Sequence, residues 1–203
     1  MSRAIILAAG RGSRMKEHTK EKPKCLNILA NDTLLNWQLK SLKEAGIEKI
    51  TVVNGYKSDL IKGNFETVTN KRWNETNMVA SLFCIPSTKS SAIISYSDIV
   101  YKSEHVNSLK KSNGDIVITA DLKWEELWKL RFENPLDDAE TFKSINGLLT
   151  NIGGKTNNIL DIEAQYMGLL KLTSKGWNQM FNLFKTFSKE KQDRLDMTSM
   201  INE

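Results

Sequence analysis

The sequence predicts a single α/β domain built on a mixed, mostly parallel sheet flanked by helices. Three observations lead there: short continuous apolar runs, helix-like segments between them, and Gly, Asn or Pro at the segment ends. The first run is Ala4-Ile5-Ile6-Leu7-Ala8. It breaks into Gly10-Arg11-Gly12-Ser13-Arg14, as a strand buried on both faces does on reaching a loop. Equivalent runs follow at 50–53, 92–96 and 116–119. Between them, residues 33–45 (closed by Gly46), 78–85 (stopped by Pro86) and 103–111 (closed by Asn113-Gly114) read as helices. After Asp121 the texture changes. Residues 123–131 read as a helix, 141–149 and 159–172 as strands separated by a loop over 151–158, and 175–187 as a helix. These late strands predict a hairpin-rich lobe added to the sheet.

Composition narrows the function classes. The 203 residues are 40% apolar and 26% charged with only 3 Pro, which excludes a disordered, collagenous or repeat-built chain. The formal charge of +5 is concentrated: the first 24 residues hold seven basic side chains against two acids, and the remainder balances. A chain that coats nucleic acid or an anionic membrane spreads its Lys and Arg over a face, so neither partner is expected; a compact anion is. Cys25 and Cys84 form no C-x-x-C, and His18 and His105 lack zinc-ligand spacing, which argues against a disulfide framework and a structural zinc. No stretch approaches the ~20 apolar residues of a membrane span, and the apolar run at the start is too short for a signal peptide. The cytoplasm is the expected compartment.

The loop from Gly10 to Arg14 is a candidate phosphate cradle, since glycines admit backbone N–H groups close to an anion while Arg14 and Lys24 add charge. A Gly-x-Gly turn is as readily just a turn. Dinucleotide and P-loop signatures are absent: Met15 stands at the third glycine position, the second strand ends in Asn54, and G-x-x-x-x-G-K-[ST] does not occur.

Together, Leu7-Ala8-Ala9-Gly10-Arg11-Gly12-Ser13-Arg14-Met15 and Lys22-Pro23-Lys24-Cys25-Leu26 reproduce, in order and spacing, the pattern L-A-A-G-x-G-[ST]-R-[ML] followed by K-P-K-x-[LM]. The chain thus resembles the nucleotidyltransferases that join a nucleoside triphosphate to a phosphorylated small molecule. The resemblance implies one Rossmann-like nucleotidyltransferase domain over residues 1–203. It places Arg14 and Lys24 on the triphosphate, Gly10 and Gly12 at close backbone approach, and Leu7, Ala8 and Ala9 beside the base. It also implies Mg²⁺, with Mn²⁺ as substitute, held by an aspartate ending a central strand. Asp98, after Ala92-Ile93-Ile94-Ser95-Tyr96-Ser97, stands at that position; a solvated turn aspartate is the alternative.

The segment Trp73-Asn74-Glu75-Thr76-Asn77-Met78-Val79-Ala80-Ser81-Leu82 looks like the t-N-N-x-x-S-L stretch of the choline-phosphate and phosphonate cytidylyltransferase branch. That likeness implies CTP as donor and Asn77 and Ser81 as base contacts, although Met78 replaces a second Asn and Asn77 could simply cap a helix. For the acceptor, Trp124 and Trp128 at i, i+4 with Arg131 beyond could line one wall, with Asp121, Asp138 and Glu140 holding an ammonium; core packing of the two tryptophans is an equal alternative. Likeness over this stretch and around Tyr166 implies an amine-bearing phosphate or phosphonate, with phosphoglutamine, 2-aminoethylphosphonate and phosphocholine in view. A non-catalytic nucleotide-binding module is the reading from another class. The family's late W-x-E-[IV]-D pattern does not follow Asp196. Either a C-terminal element lies beyond Glu203 or the metal is held abnormally; the apolar-periodic stretch 195–201, cut short, favours the first.

Overall fold

The computed structural model describes residues 2–203 apart from 13–16, 18, 88 and 89. Strands β1 (Arg3–Ala8), β4 (Ile50–Asn54), β5 (Glu66–Thr69), β6 (Ala92–Tyr96), β7 (Ile116–Asp121) and β10 (Gln165–Leu172) form one sheet in the order β5-β4-β1-β6-β10-β7. β5, β4, β1 and β6 pair in parallel, and β10 runs antiparallel to both β6 and β7. The mixed, mostly parallel sheet expected from the apolar runs is therefore present.

The runs are continuous because alternate residues enter two cores. Ile5 and Leu7 of β1 pack with α2 (Met78–Leu82), α5 (Ser174–Thr186) and α7 (Met197–Asn202) through Val79, Leu82, Trp177, Met180 and Met197. Ala4, Ile6 and Ala8 face α1 (Leu34–Glu44) and α3 (Ser103–Lys111) through Leu35, Leu42, Val106 and Leu109. Burying residues of this size on both faces supplies most of the drive to fold, at roughly 25 cal/mol per Å² of apolar surface. Several helices start at a residue whose side chain satisfies a free N–H group. The Thr33 hydroxyl accepts from Asn36 N at 3.1 Å, Thr173 from Gly176 N at 3.1 Å, and Asp196 from Ser199 N at 2.8 Å.

The structure departs from the sequence reading in several places, most consequentially in the second half. The stretch read as one strand over 141–149 folds as a hairpin, β8 (Phe142–Ile145) and β9 (Leu148–Ile152), because Asn146 and Gly147 take positive φ of 52° and 77° and make a two-residue turn. The strand expected from 159 starts only at Gln165, after a 3₁₀ turn at Ile159–Asp161. Helix α6 (Lys189–Arg194) and the two-residue strands β2 (Ile28–Leu29) and β3 (Asp32–Thr33), like β5, were not legible, being too short or too polar to show a period. Helix α4 (Trp124–Arg131) lies where it was expected. Among the described residues no helix is long and apolar enough to cross a membrane.

Gly168 marks a bulge in β10, where the register to β7 shifts between Tyr166 and Leu170. Its φ is +75°, and an added Cβ would sit 2.7 Å from Tyr96 Cδ2, so the absence of a side chain lets Tyr96 lie against β10. Gly168→Ala is expected to cost about 1–3 kcal/mol, through left-handed strain and the displaced tyrosine, and chemical denaturation of the folded protein will measure it.

Candidate active site

An open α/β sheet leaves its ligand crevice at the carboxyl ends of its parallel strands, and here β1, β4 and β6 end together. β1 runs out into Ala9, Gly10, Arg11 and Gly12; Ala9 O accepts from Tyr56 N at 2.9 Å. The Tyr56 hydroxyl donates to Lys20 O at 2.7 Å, and Arg11 lies over its ring, so this one tyrosine pins both ends of the described part of the basic loop. At Gly12, φ is +69° and an added Cβ would sit 3.2 Å from Lys24 Cδ. The glycine therefore makes room for the lysine's aliphatic stem. Lys24 opens a 3₁₀ turn after Pro23, and its Nζ pairs with Asp98 Oδ2, both side chains being partly buried. The two positions singled out from separate motifs thus meet, joined by the fold across 74 residues of chain.

They border a cavity of about 340 Å³ whose walls include Leu7, Ala9, Gly10, Gly12, Asn77 and Ser81. Thr76, Met78, Tyr96 and Ser97 complete it, none of which the sequence reading had placed there. Ala8 is the exception among the expected nucleotide contacts. With alternation of period two it points into the opposite core and is buried there. Arg14 lies outside the described residues.

Asn77 does cap α2, its Oδ1 accepting from Met78 N at 2.8 Å, while its Nδ2 donates to Arg194 O at 3.1 Å and its backbone N to Asp193 O. Ser81 accepts from Asn70 Nδ2 at 2.9 Å, and Asn70 also reaches Thr76 Oγ1 at 2.9 Å. Arg72 forks onto Asp193, which lowers that carboxyl's pKa and ties α6 to this wall.

A second cavity of about 400 Å³ adjoins the first, sharing Asn77, Met78 and Tyr96. Its walls carry Asp138, Glu140 and Asp196 with Trp128, Phe142 and Tyr166, and among the described residues none of the lining is basic. The Trp128 indole donates to Asp138 Oδ2 at 3.1 Å, and Tyr96 and Tyr166 meet edge to face at 5.7 Å. Burial raises the Glu140 carboxyl above its ordinary value, with Asp196 and Asp138 adding and the Thr198 hydroxyl and Lys155 opposing.

Three residues expected at this wall are elsewhere. Trp124 is 3% exposed and packs in the core against Ala139 and Ile162, its indole donating to Ile162 O at 3.2 Å. Asp121 accepts from Lys123 N and lines a different cavity, beside Tyr101 and His105. Arg131 is exposed and stacks on the Trp128 and Phe132 rings instead of lining the pocket. Thr141, Gln165, Asp196 and Thr198 line it unforeseen, because β8, β10 and α7 bring them from positions with no common sequence pattern.

Among the described residues no group of three or more His, Cys, Asp or Glu is placed to hold a metal ion by itself. The donor set at Asp98, one hard carboxylate beside a cavity of triphosphate size, suits Mg²⁺, which binds through one or two carboxylates together with substrate phosphates.

A glycine turn behind the first parallel strand, facing a lysine–aspartate pair at the strand ends, is the equipment of a nucleotidyltransferase, and the chain is one. It belongs to the family described as the MobA-like NTP transferase domain, whose model matches residues 4–130. Over 200 residues it is 37% identical to the CTP:phosphoglutamine cytidylyltransferase of Campylobacter jejuni, covering 92% of this chain and 79% of that one. It is 31% identical over 116 residues to the choline-phosphate cytidylyltransferase of Streptococcus pneumoniae, 54% of this chain and 51% of that protein. The inositol-1-phosphate CTP transferase of T. maritima shares the fold, with a TM-score of 0.75 at 17% identity, over all of this chain and 80% of the other.

Lys24→Ala is expected to lower turnover by two to three orders of magnitude with the fold intact, the usual size of one lost transition-state contact. Asp98→Ala should abolish metal-dependent turnover. Steady-state rates alongside circular dichroism will check both, and normal turnover in the second variant would remove Asp98 from the mechanism.

Proposed function

We propose that this chain transfers the cytidylyl group of CTP to a small phospho- or phosphonate acceptor that carries an amine, releasing pyrophosphate. One observation supports this reading above others: the division of charge between two adjoining cavities, with Lys24 and Asp98 lining one and three carboxylates, but no basic side chain among the described residues, lining the other. The likeness to CTP:phosphoglutamine cytidylyltransferase over most of the chain supports CTP as donor and phosphoglutamine as the first acceptor to try. An ammonium group would sit among Asp138, Glu140 and Asp196, against the aromatic faces of Trp128 and Tyr166. Its phosphoryl end would then point past Tyr96 toward the first cavity.

In the reaction an acceptor phosphate oxygen attacks the α-phosphorus of CTP, a new P–O bond forms, the bond to the β-phosphate bridge breaks, and pyrophosphate carries the electron pair away. The attacking oxygen is already anionic at neutral pH, so no general base is needed and the scarcity of histidine fits. Lys24 would neutralise charge on the phosphates, the glycine turn would admit them close to backbone N–H groups, and Asn77 and Ser81 would border the base. Asp98, together with phosphate oxygens, would hold Mg²⁺ or Mn²⁺, which supplies further charge neutralisation when bound. A cytoplasmic location fits this use of CTP.

Pyrophosphate release with CTP and Mg²⁺, compared across phosphoglutamine, 2-aminoethylphosphonate, phosphocholine and the amine-free glycerol 3-phosphate, tests the proposal. Release with an amine-bearing acceptor only is expected. CTP binding without turnover on any of them would indicate a non-catalytic nucleotide-binding module.

Glu140 gives a sharper check. Its folded pKa is raised, so its stability contribution is present at low pH and lost as pH rises through that value. Glu140→Gln should therefore melt at or above the wild-type temperature at neutral pH, yet raise the KM for the amine acceptor by about tenfold, a 1.4 kcal/mol loss, with the KM for CTP unchanged. In the wild type, acceptor KM should rise as pH falls toward the Glu140 titration; a flat profile would take Glu140 out of acceptor binding.

A further inference from the structure

Gln38 lies on α1, a helix that touches neither cavity, and its side chain is fully buried. Nothing in the two motifs that mark the active site points to it. Its amide is nevertheless fully engaged, and with one stretch of chain only. Nε2 donates to Tyr96 O at 2.9 Å and to Ile99 O at 2.6 Å, and Oε1 accepts from the Ser95 hydroxyl at 3.0 Å. The two carbonyls fix which end of the amide is nitrogen, because only the NH₂ group can serve both. One helical turn on, the Ser41 hydroxyl donates to Tyr101 O at 2.5 Å.

These contacts have a physical cause. β6 ends at Tyr96, so carbonyls beyond it lose the sheet ladder, and those that face the fully buried Gln38 side chain take their donor from it. Gln38 supplies one NH₂ group to two carbonyls three residues apart. That closes the turn Tyr96-Ser97-Asp98-Ile99 around a single point. Asp98 stands in that turn, so the position of its Cα is set by an amide reaching from α1, while its carboxylate is met by Lys24.

We propose that Gln38 is a positioning residue for Asp98: its buried amide gathers the Tyr96 and Ile99 carbonyls and so holds the Asp98 carboxylate where it can bind metal beside the triphosphate. Ser41 extends the same clamp to Tyr101. This rests on Asp98 as the metal-binding carboxylate, as set out above. Outer groups that orient a ligand commonly change metal affinity by 10–100-fold when removed.

The test measures Mn²⁺ binding to the full chain in the presence of CTP and absence of acceptor, by electron paramagnetic resonance, with thermal melting of each variant in parallel. Gln38→Met keeps the side chain's length and loses its donors; Ser41→Ala loses the second strut. Leu42→Ala, on the same helix and in the core, is a destabilising control whose side chain offers the turn no hydrogen bond. Gln38→Met is expected to weaken Mn²⁺ binding at least tenfold, Ser41→Ala by less, and Leu42→Ala not at all despite an equal or larger fall in melting temperature. Wild-type Mn²⁺ affinity in Gln38→Met, or an equal loss in Leu42→Ala, would overturn the clamp. Asp98→Asn separates the two readings. If it binds Mn²⁺ like the wild type, the metal role of Asp98 fails and the clamp's purpose with it. If it loses Mn²⁺ while Gln38→Met does not, only the clamp fails.

Discussion

Burial of the central strands on both faces is the constraint from which the rest of the molecule follows. β1 sends Ile5 and Leu7 one way and Ala4, Ile6 and Ala8 the other, with no face left for polar chemistry. Charged and hydrogen-bonding side chains can then act only where strands end, and parallel strands end together. The glycine turn, the Asp98 turn and the segment bearing Asn77 and Ser81 are brought to one edge by this geometry. Rigid strands beneath them fix their spacing, which loops alone could not do.

At that edge the polar groups hold one another. Lys24 is packed along Gly12 and paired with Asp98, and Ser81 is tied to Asn70. The acidic pocket behaves differently: its carboxylates are held by neutral donors, Asp138 by the Trp128 indole and Asp196 by Ser199 N and the Thr198 hydroxyl, and they repel one another. Such a site is less stable empty than it would be with neutral side chains, and a cationic ligand relieves the repulsion. Under the proposed role, function and stability pull in opposite directions at Glu140.

Much of this was readable in the sequence, for identifiable reasons. Apolar runs bounded by Gly and Pro mark β1, β4 and β6, and the spacing from Gly10 to Lys24 carries the nucleotidyltransferase pattern. Ala8 shows the limit of pattern transfer, since a motif names consecutive residues whereas a strand presents alternate ones. Trp124 and Trp128 share a helix face, yet both are buried; only Trp128, turned by its bond to Asp138, reaches the pocket. The hairpin at Asn146-Gly147 had its turn signal in plain view inside a stretch rich enough in strand formers to read as one strand. Helix α6 has no apolar period at all and exists because Ser188 caps it and Arg72 grips Asp193. Gln38 resembles any polar residue on a helix until the carbonyls it serves are known.

The second cavity draws its walls from Asn77 in the first half of the chain and from Asp196 and Thr198 near the last helix, and Asn77 is itself bonded to Asp193 and Arg194. Contacts so distant in sequence form late, because each closes a long loop of chain. On a ribosome, the turn around Gly10 and the first strands emerge many seconds before the helices that complete the pocket. Until those helices arrive, the Ile5 and Leu7 side of β1 lacks the core it packs into, and neither cavity is complete. The second cavity therefore closes only once the segment carrying Asp196 and Thr198 has docked, which makes the end of the chain the last part of this region to fall into place.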